Sequence, residues 1–456
     1  MTDEQKVPRD RDYALYRPIY ETGRGFYWTI GILIALMGWG LFMYVLQLRK
    51  GLGVTGMNQP VTWGFYIVNF VFFIGISHAG TLISAILRLS KAEWRRPITR
   101  MAEVITAIVL AIGGLHPILD LGQPERMMNL LTAGRLQSPL LWDVTSITAY
   151  FTASTVYLYL PMIPDVAKLR DRGGKLTWFY TFLAWGWHGT ERQKEVLNRA
   201  INILMVMVIP IAISVHTVIS YIFSMTLQPG WHSTIFGPYF VVGAIFSGIA
   251  ALLIVMIAFR KVYHLESYLR EVHFQYLGTL LLIMSLLWFY FTFSEYLTGV
   301  FGSEPHEMEI ILYKLTGPYA IPFWAMVLCN FLIPVTILSF KKLKKIPGIL
   351  IASIAVVIGM WLERLIIVAP SLANPRFEIP VGVYVPTVTE WAIFIGALSV
   401  FVFGFVMFAK FFPLISIWEI EEGREESVHE VKKRVEGYLP ITEPIEPGPS
   451  TRTAEG

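Results

Sequence analysis

Ten apolar runs, each long enough to cross a bilayer as a helix, dominate the chain. A hydrocarbon core of roughly 30 Å takes about 20 helical residues. The runs lie near 26–48, 61–88, 100–119, 140–163, 198–226, 238–259, 273–300, 318–339, 347–369 and 389–413. Backbone in lipid must satisfy its own hydrogen bonds, which for runs of this length means helix. The predicted fold class is an all-α integral membrane protein of about ten transmembrane helices. Only 15% of residues are charged, against about 25% in soluble domains.

Lys and Arg fix an orientation. The N-terminal segment carries five, and the successive connections carry two, five, two, six, none, three, one, four and one. This alternation places both termini in the cytoplasm; the expected location is a bacterial inner membrane. The charged first 25 residues lead into a full-length run, so no cleaved signal peptide is expected. Residues 176–187, "LTWFYTFLAWGW", are too short to span and read as an aromatic helix in the inner interface. From Trp418 a charged surface helix and a Pro-rich end are expected.

Spans 2 and 6, "GFYIVNFVFFIGISHAGTLISAILRL" and "GPYFVVGAIFSGIAALLIVMIAFRK", echo one another 173 residues apart. They suggest two parallel four-helix bundles, spans 2–5 and 6–9, flanked by spans 1 and 10. The chain then divides into a cytoplasmic segment 1–25, the first helix and outer loop 26–60, a first bundle 61–226, a second bundle 238–369, a last helix 389–413 and a cytoplasmic tail 414–456.

Several chemistries are excluded. Cys329 is the sole cysteine, so the chain cannot build a Cys-ligated iron–sulfur cluster or zinc site. HExxH, Walker, GxSxG and dinucleotide glycine motifs are absent. Basic residues are scattered and net charge is only +4, which excludes a nucleic-acid surface.

Ionisable groups inside spans are expensive and mark function by default. His116 and Asp120 end span 3, four residues apart on one face, above the loop "GQPERM" that holds Arg126. Asp143, Ser146, Tyr150 and Tyr157 form a polar stripe on span 4 beside Trp142, and Ser285, Trp288, Thr292 and Glu295 repeat the pattern on span 7. Glu363 and Arg364 sit near the end of span 9, where such neighbours are more often a self-neutralised structural pair than a proton carrier, and Glu390 starts span 10 as an interfacial group. The acids all fall on the outer side. His78 and His216 lie deeper, at about 26 Å and 15 Å from the outer edge, with His116 at about 5 Å, counting 1.5 Å per residue. No two histidines match in depth, so a bis-histidine haem is not expected.

Facing stripes on spans 3 and 4 predict a pocket at the outer face, open to lipid. Such a pocket suits a membrane-dissolved substrate that gives up protons, and a quinol fits: His116, Asp120 and Asp143 accept hydroxyl protons. His116, Asp120, Arg126, Trp142, Asp143 and Tyr150 would line it, and His78, His216, Glu295, Glu363 and Arg364 form a proton path. With no haem or cluster of its own, the chain must hand electrons to a docked partner.

"LDLGQPERMMNLL", Leu119 to Leu131, followed by "SPLLWDV", Ser138 to Val144, resembles the NrfD and polysulfide reductase C-subunit family of quinol-interacting membrane proteins. The resemblance implies four-helix bundles, a quinol site in the first bundle and a ferredoxin-like iron–sulfur subunit beside it. The ten-span length, "RPIYETGRGFYW" and "GWHSTIFGPYFVVGAIFSG" look most like the C-type branch found in bacterial alternative complex III. That branch implies menaquinol or ubiquinol as substrate. Its implied partners are a periplasmic iron–sulfur subunit, a second NrfD-like subunit and c-type cytochrome subunits. The competing readings are a secondary transporter, disfavoured because the polar groups cluster at one face rather than the midplane, and an anchor subunit of a polysulfide-reductase-like molybdoenzyme.

Overall fold

The computed structural model describes residues 13–375 and 382–424. Among the described residues every regular element is helical. Ten long helices carry the fold: α1 Arg24–Lys50, α2 Phe65–Leu89, α3 Thr99–Asp120, α4 Pro139–Tyr159, α5 Glu191–Ser224, α6 Phe236–Val262, α7 Glu271–Gly302, α8 Ala320–Ser339, α9 Ile346–Ala373 and α10 Val388–Phe411. Among the described residues, nine of these are long and apolar enough to cross a membrane. The tenth, α4, is rich in hydroxyls, and these are satisfied within the helix. Thr145 donates to the Leu141 carbonyl at 2.8 Å and Thr148 to that of Val144 at 2.7 Å, so these exposed side chains can face lipid without an orphaned donor.

Helix α2 is the hub, with 87% of its apolar window buried. Helices α2, α3, α4 and α5 pack as one four-helix group, and α6, α7, α8 and α9 as a second; α2 against α6 and α9 makes the seam. Helix α8 is interrupted by a π-helical turn, Leu328–Leu332. Its Asn330 reaches α9 where a Cβ on Gly359 would lie 2.2 Å from the amide oxygen, so only glycine fits. Helices α1 and α10 pair outside the groups. Gly40 and Gly396 bring their backbones together, since a Cβ on Gly40 would meet the Gly396 Cα at 3.0 Å. Most of α1 otherwise faces outward.

The short helix Thr177–Leu183 leaves Trp178 and Phe182 exposed, as an interfacial segment requires. The tail from 413 to 424 is tied to the bundle by buried ion pairs. Asp165 accepts from Arg100 at 2.5 Å and from the Ile417 and Trp418 amides at 3.0 and 2.9 Å. Glu419 bonds Arg88, and Arg95 at 3.0 Å. Burial alone would raise the Glu419 carboxyl, but Arg88, Arg95 and Arg100 hold it below its usual range. The Pro-rich end and His429 lie outside the described residues.

Candidate functional site

The last turns of α3 set the site. His116 is buried, and its Nδ1 lies 2.9 Å from the Ile112 carbonyl oxygen. A carbonyl only accepts, so Nδ1 carries the proton and Nε2 is left as a bare lone pair. That nitrogen is buried without a partner, as are one carboxylate oxygen of Asp120 and one of Asp143. Three orphaned acceptors at one end of one helix group are costly unless a donor comes to them.

Their surroundings differ from two stripes facing one another. His116 packs on Phe73 of α2 at 5.2 Å, and Asp120 lies within electrostatic reach of Tyr66 and Glu390. The α4 stripe also turns to α2: the Tyr150 hydroxyl donates to the Ser77 carbonyl at 3.1 Å, and Tyr157 lies 3.4 Å from the Ser84 hydroxyl. Both stripes therefore turn toward α2, the most buried helix. Gly114 faces Ile147 across the antiparallel α3–α4 contact, which puts Asp143, one turn before Ile147, level with residues 116–120. Trp142 is exposed at the rim, its indole donating to the Leu136 carbonyl at 2.5 Å, and Arg126 is exposed on the turn Pro124–Arg126.

Span 1 contributes a residue the sequence pattern passed over. Gln47 is fully buried, donates to the Leu119 carbonyl at 3.0 Å and accepts from Tyr66. It fixes the backbone next to Asp120. An amide in an otherwise apolar helix end was the available signal. Glu390, read as interfacial, is fully buried and accepts from the Gly56 and Thr387 amides at 2.8 Å and from Tyr384 at 2.5 Å. It caps α10 and pins the outer loop beside Asp120.

Depth counting placed His78 and His216 apart, and the structure corrects this: their rings meet, centroids 3.6 Å apart. Residue counts from nominal ends ignore tilt and the early start of α5 at Glu191, where Thr190 and Gln193 form a capping box. Carbonyls of Ile74 and Ala212 face both nitrogens of His78, at 3.1 and 2.5 Å, and a neutral ring can bond only one. The acids are not confined to the outer side either. Glu103, at the inner end of α3, is buried and accepts from Ser84 at 2.6 Å. It was missed because it lies beside the charged 88–100 connection.

In the second group Glu363 accepts from the Trp288 indole at 2.5 Å and pairs with Arg364 at 3.2 Å, while Arg364 stacks over Phe240 at 4.7 Å. Arg364 also feels His216 across the seam. Glu363, Glu295, Tyr239 and Lys314 line one cavity of about 60 Å³, room for a few waters and not for a quinol ring. Lys314, on the outer helix Pro305–Leu315, is buried; that burial pushes its ammonium down to about 8, with Glu295 pulling the other way. A lone lysine on an acidic amphipathic helix was the visible hint.

Residues 53–375 match the family described as "Polysulphide reductase, NrfD". The chain belongs to the NrfD family. Among its similar proteins, the C subunit of selenate reductase from Mesobacillus selenatarsenatis is 24% identical over 86% of this chain and 94% of its own length. The Hdr-like menaquinol oxidoreductase integral membrane subunit of Archaeoglobus fulgidus is 25% identical, over 87% and 95%. A Halobacterium salinarum protein, provisionally named as the membrane C subunit of a dimethyl sulfoxide reductase, is also 25% identical, over 86% and 92%. This NrfD chain is thus a multi-pass membrane subunit of the kind found in quinol-linked oxidoreductases.

Proposed function

We propose that this NrfD subunit oxidises quinol near the outer end of its first helix group and passes the electrons to an iron–sulfur subunit docked there, as in alternative complex III. The observation that carries the reading is the set of orphaned acceptors, His116 Nε2, Asp120 and Asp143, held at one level by α3 and α4. A quinol hydroxyl supplies the donor that His116 Nε2 lacks, and its proton moves to that nitrogen. The second hydroxyl proton goes to a carboxylate, Asp120 or Asp143. The two electrons leave to the partner's cluster. Gln47 and Tyr66 hold the α3 end in place, while exposed Trp142 and Arg126 form the rim on which the partner sits. Tyr150, about two turns further along α4 from Asp143, is tied to the Ser77 carbonyl of α2.

Protons not released directly follow a lateral track past the touching rings of His78 and His216, across the seam to Glu363 beside the fixed charge of Arg364, and out through the cavity shared with Glu295 and Lys314. Both termini face the cytoplasm, and menaquinol or ubiquinol is the substrate. A second NrfD-like subunit and c-type cytochromes complete the assembly. The same geometry run in reverse reduces a quinone, whereas a selenate-reducing complex such as that of the M. selenatarsenatis relative consumes electrons and would use the quinol-oxidising direction. Purified complexes with His116→Ala or Asp120→Asn should keep their partner subunits yet lose quinol-dependent acceptor reduction, by the 10²–10⁴-fold typical of a lost general base. Unchanged turnover sinks the assignment; quinone-dependent oxidation of an artificial donor without the forward activity favours the reverse direction, quinone reduction.

A further inference from the structure

A cleft of about 710 Å³ opens between the start of α1, the end of α6 and the end of α10, well away from the orphaned acceptors. Its walls are apolar: Phe26, Val255, Ala258, Phe259, Phe401 and Phe405. Its volume lies in the range of sites for small organic molecules, about 300–1,000 Å³. The apolar part lies along membrane-spanning helices, and the polar end is level with the helix termini, where Arg17, Glu21 and His264 line it.

The charges at that end are one-sided. The lining carboxylate, Glu21, is engaged by Arg17 at 2.6 Å. Arg24, between the lining residues Gly23 and Gly25, is exposed. Lys410 reaches over the Phe26 ring at 5.8 Å, and its ammonium bonds neutral oxygens: the Pro18 and Glu21 carbonyls, each at 3.2 Å, and the Thr22 hydroxyl. Lys261 adds a further exposed cation at the end of α6. The uncompensated charge of the Lys410 ammonium above a phenyl ring and the exposed Arg24, over an apolar slot, match a phosphate joined to an acyl chain.

We infer that this cleft is a binding site for one anionic glycerophospholipid from the leaflet on the side of the termini. An acyl chain lies between α1, α6 and α10, and the phosphate sits at Lys410 and Arg24. The lipid would seal the pair α1–α10 against α6 of the second helix group.

The test is lipid retention by the intact complex, purified in mild detergent and exchanged into nanodiscs of phosphatidylglycerol mixed with phosphatidylcholine. Bound lipid per chain is quantified by mass spectrometry after delipidating washes. The wild type should retain about one phosphatidylglycerol per chain. Lys410→Gln and Arg24→Gln should each reduce its preference over phosphatidylcholine about fivefold, the worth of one surface cation. Ala258→Trp, placed at an exposed position on the cleft wall, should expel lipid of either kind while quinol turnover persists. Retention without headgroup preference, or unaltered in Ala258→Trp, overturns the inference. So does finding a quinone or a partner's helix in the cleft.

Discussion

The two four-helix groups share a plan but differ in how their buried acids are held, although neither satisfies every buried polar atom, Glu363 Oε2 included. In the second, Glu363 is bonded by Trp288 and flanked by Arg364, and Glu295 is bonded by the Ser233 hydroxyl at 2.7 Å. In the first, His116, Asp120 and Asp143 each keep a buried acceptor with no donor. Acids that hold an internal donor favour a fixed shape; acids that hold none can take the hydrogens of a ligand. The small cavity of the second group supports the contrast, since it takes water and excludes a quinol ring.

The sharpest way to break the contrast is to remove the acids of each group in turn. Asp120→Asn should lower quinol turnover by at least about 10²-fold, whereas Glu295→Gln, which touches only the exit of the proton track, should cost less than about tenfold; equal losses measured in steady-state assays would merge the two groups into one site. The next effect is on stability. Glu419→Ala strands Arg88 and Arg95 in the inner end of the first group and should cost about 3–5 kcal/mol, read as a lowered unfolding midpoint in nanodiscs. Gly396→Leu forces α10 off α1 and should cost about 1–3 kcal/mol by overpacking, with little change in turnover, because the contact lies outside both groups.

The smallest effect is a pH slope. Burial lowers Lys314 from its ordinary 10.5 to about 8. Between those values the folded state has released the proton that the unfolded chain still holds, so stability should rise with pH across that window and level off below it. Thermal unfolding from pH 7.5 to 10.5 should show this rise, and Lys314→Met should flatten it. Persistence of the slope in the variant would assign it to another group.

Much of this arrangement was legible in the chain because lipid leaves so few options. Ten apolar runs, the Lys and Arg alternation and the echo of span 2 in span 6 follow from length, charge and hydropathy, which act locally and need no knowledge of neighbours. The polar residues in the spans were equally visible, since each stands out against an apolar background. Their companions were not. That His78 touches His216, that Gln47 of span 1 braces the end of span 3, and that Lys314 of an outer helix enters the second group's cavity depend on helix tilt and rotation. Packing between helices sets tilt and rotation, and residue counting assumes neither. The sequence by itself determined which groups would be buried in the membrane. Only the tertiary structure decided which of them found partners, and so which were left to meet a substrate.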